Sequence, residues 1–225
     1  MYRTMRLQLP LFLLTLMLGS AARAQEIDID SGKLPREGRS LDDFTPRGWT
    51  AEMKANGDLN ADGIADIAAI LIQTPAKPDK DNLEESQRLL LVLISGPNGK
   101  LLPGGRNGEL LGCVHCGGVK ESAGVEIKKG VLIVSQLTGS REFTDQTWRY
   151  RYNAKIRRFV LIGRDVTNGD GAVGTGVKES YNFLTGIKIS KHYRYDHKRD
   201  REVTISSKKE KISKQARFLE DAGME

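Results

Sequence analysis

The chain has 225 residues, 39% of them hydrophobic, and a formal net charge of +6 at pH 7. This length suits one domain, or one domain with a tail, and the apolar content is enough to form a core. Beyond the N-terminus the longest unbroken apolar stretches, residues 67–72 and 89–94, are only as long as a strand. This excludes a membrane-spanning helix in that part of the sequence.

The N-terminus has the pattern of an export signal. Two arginines precede an apolar run at residues 7–18, which is too short to span a bilayer, and Ala22 and Ala24 occupy the small-residue positions before a cleavage site. The pattern predicts a signal peptide over residues 1–24 and a periplasmic or secreted protein. An N-terminal membrane anchor is the alternative, and the short apolar core disfavours it. No cysteine follows the run, which argues against a bacterial lipoprotein.

Signal removal brings the charge close to neutral. It removes Arg3, Arg6 and Arg23 and no acidic residue, so the formal net charge falls from +6 to +3. A balance this close does not call for a nucleic-acid partner. The remaining basic residues crowd the C-terminal third, in runs at 157–158, 188–201 and 208–214. Such runs are usually solvated, and they predict at most weak contact with a polyanion or a membrane surface.

The sequence predicts a flexible N-terminal segment at 25–48, because these residues are polar and show no apolar period. A β-rich domain is expected over 49–206, followed by a charged, partly helical tail at 207–225. Within the domain, short apolar-rich runs alternate with turn residues, which is typical of strands. These runs lie at 64–72, 89–94, 125–127, 131–137, 148–152, 159–162 and 187–195.

The run Trp148-Arg149-Tyr150-Arg151-Tyr152 alternates with period two, so one face of a strand carries aromatic rings and the other carries arginines. We interpret it as an antiparallel strand with one solvated face. A platform that stacks single-stranded nucleic acid is the alternative, and the modest charge of an exported protein disfavours it. Together with two exposed loops at 74–87 and 165–177 and a helix at 208–220, the prediction is a mainly β fold, an antiparallel meander with a short C-terminal helix.

The most informative motif is the stretch Gly-Asp-Leu-Asn-Ala-Asp-Gly-Ile-Ala-Asp-Ile at residues 57–67. Calcium takes six to eight oxygen ligands, and alternate side chains on a tightly turning loop can converge on one ion, with Gly63 permitting the bend. The expected ligands are Asp58, Asn60, Asp62, the backbone carbonyl of Ile64, and Asp66. Glycine, asparagine and aspartate also favour ordinary turns, which is the alternative interpretation. A helix-loop-helix calcium site is excluded because its twelfth loop position is Ala69, where a glutamate is required.

This loop, followed by the apolar strand sequence at 67–72, resembles the calcium loop of integrin-type FG-GAP repeats. The resemblance implies a bound calcium ion, and it covers only the loop and the following strand. It does not imply a full propeller, because no second copy recurs at the spacing of a blade and the signature that names the repeat is missing. The wider pattern resembles a class of bacterial secreted proteins that carry one such loop, which implies no particular activity. A second acidic stretch, with Asp165, Asn168 and Asp170, has fewer oxygens in irregular register and is interpreted as an ordinary loop.

Both cysteines lie close together, as Cys113-Val114-His115-Cys116. In an oxidising compartment this spacing predicts a local disulfide between Cys113 and Cys116. A redox-active pair and a metal site are the alternatives. The surrounding glycines supply neither the strand nor the helix of a thiol-disulfide oxidoreductase, and the three histidines offer no second ligand pair for zinc.

No catalytic motif is present in the sequence, so no catalytic residue is assigned and an enzyme is disfavoured. The leading hypothesis is an exported, calcium-binding β-rich protein with a structural or binding role toward an unidentified ligand of the envelope or exterior. The alternative is a periplasmic thiol-disulfide oxidoreductase in which Cys113 is the nucleophile and Cys116 the resolving thiol.

Overall fold

The structure, a computed structural model, describes residues 34–74, 86–114, 118 and 122–223. It contains two antiparallel β-sheets, which confirms the mainly β prediction. The first sheet has the strand order β1-β2-β3-β4. Its strands are β1 (Trp49–Gly57), β2 (Asp66–Gln73), β3 (Arg88–Ser95) and β4 (Leu101–Asn107).

The second sheet is a meander of seven strands, in which each strand pairs with the next along the chain. Its strands are β5 (Ser122–Lys128), β6 (Val131–Gly139), β7 (Glu142–Asn153), β8 (Arg158–Asp170), β9 (Thr175–Asn182), β10 (Ile187–Asp196) and β11 (Arg201–Lys211). The sequence predicted an antiparallel meander, and these seven strands form one. In the described residues the sheets form neither a closed barrel nor a propeller.

The main core lies between the two sheets. Strands β2 and β3 contribute Ala68, Ile70, Leu90 and Val92, and the second sheet contributes Val125, Leu132, Val134, Trp148, Tyr150, Phe159 and Leu161. In β7 the aromatic residues point into this core and the arginines point away from it, as the period-two pattern predicted. The buried aromatic face therefore packs the protein and is not exposed for nucleic-acid stacking.

A second apolar cluster covers the other face of the first sheet. There Ala69, Leu71, Leu89, Leu91 and Leu93 pack against Leu41 and Phe44, which belong to a 3-10 helix at Leu41–Phe44. Phe44 is only 1% exposed. Strands β2 and β3 are thus buried on both faces, which explains why their sequences are continuous apolar runs. The packed part of the chain therefore begins before Trp49, inside the segment predicted to be flexible, whereas the predicted signal peptide lies outside the described residues.

The predicted helix at 208–220 is wrong. Strand β11 continues to Lys211, and only Leu219–Asp221 form a helical turn, of the 3-10 type. The apolar residues have helical spacing, but the chain up to Lys211 is extended because β10 provides hydrogen-bond partners along the whole of β11. Leu219 is fully buried in the main core, where it lies against Gly105. A Cβ at Gly105 would stand 3.0 Å from the Leu219 Cδ2 atom, so glycine lets this C-terminal segment approach the first sheet.

The loop predicted at 165–177 is also wrong, because β8 and β9 pair along most of it and only residues 171–174 form the connecting turn. Most of the other predicted loop, at 74–87, lies outside the described residues. Within the described ranges, no helix has the length and apolar content needed to cross a membrane. The two sheets and the segments packed on them lie within residues 34–223, so a chain that begins at Gln25 retains them.

Candidate calcium loop

The candidate loop connects β1 to β2 in an antiparallel hairpin. Gly57, the last residue of β1, pairs with Asp66, the first residue of β2, and residues 58–65 form the connection. Leu59 is 4% exposed and packs into the main core between the two sheets, and this contact anchors the loop. The turn includes two residues with positive φ, Ala61 at 64° and Gly63 at 84°. The glycine predicted to permit the bend therefore has the left-handed conformation that favours glycine.

The polar side chains of the loop fold back onto its own backbone. The Asp58 carboxylate accepts hydrogen bonds from the amides of Ala61 at 2.7 Å and Gly63 at 2.9 Å. Asn60 Oδ1 accepts from the Asp62 amide at 3.0 Å, and Asp62 Oδ1 accepts from the Ile64 amide at 2.8 Å. These are the local turns that aspartate and asparagine favour, and they order the loop around its three carboxylates.

Asp66 has a different role, because it ties the loop to the rest of the sheet. Its side chain is fully buried, with Oδ2 accepting from the Leu59 amide and Oδ1 from the Ser95 amide, both at 2.8 Å. The Ser95 hydroxyl donates in turn to the Ala65 carbonyl at 2.6 Å. Ser95 ends β3 and lies 29 residues along the chain from Asp66, so sequence reasoning had no signal that would include it in the site.

The loop concentrates negative charge. Burial is the largest influence on the pKa of the Asp66 carboxyl and raises it, against hydrogen bonds from Ser95 and Leu59 that lower it. The charges of Asp62 and Asp58 raise the Asp66 pKa further, so the three carboxylates interact. Because the folded pKa lies above the unfolded value, ionisation of Asp66 lowers the stability of the metal-free fold as pH rises through the interval between the two.

The donor chemistry fits calcium, whereas the described positions of the side chains do not form a coordination shell. Each oxygen of Asp58, Asp62 and Asp66 accepts one hydrogen bond and keeps a second lone pair. In the described part of the chain, however, no three acidic, histidine or cysteine side chains converge closely enough to hold a metal ion. Coordination by this set therefore requires the loop to tighten around the ion.

A shallow depression of about 420 Å³ lies beside the loop, between it and the turn that joins β5 to β6. It is lined by Gly57, Asp58, Ala61, Ile127, Lys129 and Gly130. The backbone carbonyl of Asp58 stands 3.8 Å from the position that a Cβ on Gly130 would occupy. The second sheet thus reaches the candidate site, a contact that no local sequence pattern indicates.

The second acidic stretch is neutralised by arginines instead. Arg149 Nη1 lies 2.7 Å from Asp165 Oδ2, and Arg141 Nη2 lies 2.9 Å from Asp170 Oδ2. Asp170 also accepts from the amides of Ala172 and Val173 in the β8–β9 turn. These contacts assign Asp165 and Asp170 to ion pairs of the sheet.

The Arg141–Asp170 pair allows a direct check of this assignment. The hydrogen bond from Arg141 is the first cause that lowers the pKa of Asp170, from 3.8 to about 2. Replacing Arg141 by glutamine is expected to raise the Asp170 pKa toward 3.8, as measured by an NMR titration of its carboxyl carbon. The lowered pKa means that the pair stabilises the fold above pH 3.8 and that this contribution disappears as pH falls toward 2. An unchanged Asp170 pKa in the variant would show that the arginine is not its partner.

The cysteine segment is anchored just before Cys113. The Gly112 carbonyl accepts from Arg88 Nη1 at 3.1 Å, and the Gly112 amide donates to Gln136 Oε1 at 3.0 Å. Cys113 is half-buried, and the described residues include no free cysteine. Cys116 and His115 lie outside the described residues, so the Cys113–Cys116 disulfide stays a prediction.

Comparison of the chain with protein-family models, curated proteins and solved structures found no match. The fold and the loop therefore define the protein only as a two-sheet antiparallel β protein with an acidic hairpin loop. Its function has to be inferred from the geometry of this chain.

Proposed function

We propose that this protein is an exported calcium-binding β protein in which one calcium ion organises the β1–β2 loop, with a structural or binding role. The ligands would be the side chains of Asp58, Asn60, Asp62 and Asp66 and the carbonyl of Ile64. The ion would supply positive charge and fix the connection between the two strands. The proposed location is the periplasm or the exterior, on the basis of the N-terminal sequence.

One observation carries the proposal: the three carboxylates of the loop have no basic partner among the described residues. Elsewhere in that part of the chain, aspartates that lie close to arginines form ion pairs, as Asp165 and Asp170 do. No lysine or arginine of the described residues forms an ion pair with Asp58, Asp62 or Asp66, and none is among the main causes of the shifted pKa of Asp66. A buried carboxylate beside two further carboxylates is costly without a compensating charge, and a divalent cation supplies it.

Calcium is expected to raise the melting temperature of the metal-stripped chain that begins at Gln25. Extracellular calcium sites of this type have dissociation constants of roughly 0.1 to 1 mM. With a constant of ~0.1 mM and ~1 mM free calcium, binding stabilises the folded state by about 1.4 kcal/mol. For a chain of this size the shift is roughly 3 to 6 °C, measured by scanning calorimetry.

Two variants test whether the loop is the site. Replacing Asp62 by alanine should remove most of the calcium-induced shift, since it removes a charged ligand next to Gly63. Replacing Asp145 by alanine, an exposed position in β7, should leave the shift intact. Magnesium should stabilise the protein less, because it requires a compact octahedral shell that this loop does not offer. If calcium binding releases or absorbs no heat and does not shift the melting temperature, the loop is only an acidic turn held by its own hydrogen bonds.

The oxidoreductase hypothesis receives no support from the described part of the cysteine segment. A reactive thiolate is commonly stabilised by the N-terminus of a helix. After Cys113, however, Val114 forms an antiparallel bridge with Ser86, and its amide donates to the Ser86 carbonyl at 2.8 Å. The extended backbone at Val114 is not the first turn of such a helix.

A further inference from the structure

The outer face of the last three strands carries three lysines, Lys191, Lys209 and Lys211, that form no ion pair with the described residues. The strand register places Thr147, Asp165, Ser180, Ile189 and Lys209 in one row across β7 to β11. This row lies on the face opposite Trp148 and Tyr150, which point into the core. We call this surface the lysine face. It comprises Lys178, Lys191, Lys209, Lys211, Ile187 and Ile189.

Charges are distributed unequally between the two faces of these strands. On the core side, Lys188 lies 2.6 Å from Glu179 and Lys208 lies 2.7 Å from Glu210. On the lysine face Lys178 is paired with Glu202. For Lys191, Lys209 and Lys211, no carboxylate of the described residues lies within ion-pair distance. The remaining acidic group near the row, Asp165, is already paired with Arg149.

Protection of a free sheet edge does not account for this pattern. Lysines on an edge strand prevent pairing with other chains, and this explains Lys209 and Lys211 on β11. Lys191, however, lies on β10, which is paired on both sides, and it stands directly opposite Lys178 of β9. Like charges opposite each other on neighbouring strands are destabilising. Edge protection therefore explains Lys209 and Lys211 but not the unpaired Lys191.

The lysine face also presents apolar area between its charges. Ile187 and Ile189 alternate with polar residues, a pattern that usually marks core-facing side chains. They nevertheless lie on the outer side of β10 and are only half-buried. Ile205, at the bulge in β11, is 62% exposed. A surface that combines unpaired lysines with half-buried and exposed aliphatic side chains matches an anionic bilayer, which offers phosphate charges above an apolar interior.

We propose that the lysine face docks this protein onto the surface of an anionic lipid membrane. Each lysine close to such a surface strengthens binding by about fivefold. Lys191, Lys209 and Lys211 together therefore contribute roughly a hundredfold, weakened by salt. The proposal is independent of the calcium loop, which contributes none of these residues.

The test is co-sedimentation of the chain that begins at Gln25 with vesicles, in EDTA and low salt. This chain lacks the apolar run at 7–18, which would bind lipid by itself. Binding is expected to vesicles of equal phosphatidylglycerol and phosphatidylcholine, and not to phosphatidylcholine alone. Replacing Lys191, Lys209 and Lys211 together by serine should weaken binding roughly a hundredfold. Because calcium is absent, the result does not depend on whether the loop binds it.

A charge-matched control distinguishes an effect of the lysine face from an effect of the net charge of the protein. Replacing the exposed Lys54, Lys155 and Lys198 by serine removes the same charge outside the lysine face and should change vesicle binding by no more than about twofold. Equal losses in the two triple variants would overturn the proposal, since only total charge would then matter. Absence of vesicle binding, with lysine-dependent binding of soluble polyphosphate, would also overturn it and assign the face to polyanions.

Discussion

Replacing Glu52 by glutamine is expected to lower the free energy of unfolding by about 3 kcal/mol. Glu52 forms a two-pronged ion pair with Arg88, at 2.7 Å to Nε and 2.9 Å to Nη2. The Arg88 side chain is only 4% exposed, and that of Glu52 is 28% exposed. Losing the carboxylate removes two charge-assisted hydrogen bonds from a buried guanidinium, which costs more than the ion pair contributes when intact.

Urea unfolding of three variants separates this explanation from simple loss of packing. Glu52→Gln should shift the midpoint without changing the slope. Adding Arg88→Met to Glu52→Gln should recover part of the stability, because it removes a buried guanidinium that has lost the Glu52 carboxylate. Glu37→Gln removes the partner of Lys100, an exposed pair, and should change stability by less than about 0.5 kcal/mol. A loss for Glu52→Gln as small as that for Glu37→Gln would contradict the assigned role.

The Glu52–Arg88 pair also has a positioning role, because Arg88 donates to the Gly112 carbonyl. One arginine thereby connects β1, β3 and the start of the cysteine segment. Gln136 of β6 holds the amide of the same glycine, so both sheets position the residue before Cys113. This arrangement gives the predicted disulfide a fixed attachment to the fold, which is consistent with a structural bond.

Sequence reasoning located the strands that carry an unambiguous pattern. The apolar runs at 67–72 and 89–94 became β2 and β3, and the alternating run at 148–152 became part of β7. It missed β1, β4 and β9, since Trp49–Gly57 is largely exposed and Leu101–Asn107 contains proline and two glycines. These strands are held by backbone pairing with the strands next to them in the chain, and their own composition does not report that pairing.

The same limit applies to the candidate site. The sequence placed Asp58, Asn60, Asp62 and Asp66 in one loop. The structure places the first three in the β1–β2 connection and Asp66 at the start of β2. The sequence could not show that Asp66 is buried against the amide of Ser95, because that contact depends on the register between β2 and β3. It also could not show which aspartates have arginine partners, and that difference distinguishes this loop from the stretch at 165–170.

The sequence alone also does not show that the apolar residues of β10 point away from the core. Period two separates Ile187 and Ile189 from Lys188 and Ser190, but it does not say which set faces the core. The register through β7, β8 and β9 decides that the isoleucines lie on the outer side. The lysine face therefore emerges only from the order of the strands.

Replacing Asn107 by aspartate is expected to destabilise the protein by about 4 kcal/mol at pH 7. Asn107 is 6% exposed and uses all of its hydrogen-bonding capacity. Its Nδ2 donates to the carbonyls of Leu219 at 2.6 Å and Ala222 at 2.5 Å. Its Oδ1 accepts from the amides of Glu109 at 2.7 Å and Leu110 at 2.6 Å. The substitution sets a carboxylate oxygen against two carbonyl oxygens.

The effect should concentrate on the C-terminal segment, which Asn107 connects to β4. That segment also pairs with β8, where the Leu161 amide donates to the Arg217 carbonyl at 2.8 Å, and it inserts Leu219 into the main core. Release of the C-terminal segment would expose Leu219 and leave an empty space beside Gly105, where Leu219 packs. Limited proteolysis of Asn107→Asp should therefore cleave after Lys211 or Lys214 well before the rest of the chain.

The pH dependence distinguishes the electrostatic cause from a change of shape. Burial next to two carbonyls raises the pKa of the introduced carboxyl group above its unfolded value of about 3.9. Its protonated form can donate one of the lost hydrogen bonds, so Asn107→Asp should approach wild-type stability near pH 4 and lose stability as pH rises through the raised pKa. Asn153→Asp, where the side chain only accepts from the Lys155 amide in an exposed turn, should change stability by less than about 0.5 kcal/mol at either pH. A loss for Asn107→Asp that is the same at pH 4 and pH 7 would rule out the opposed oxygens as its cause.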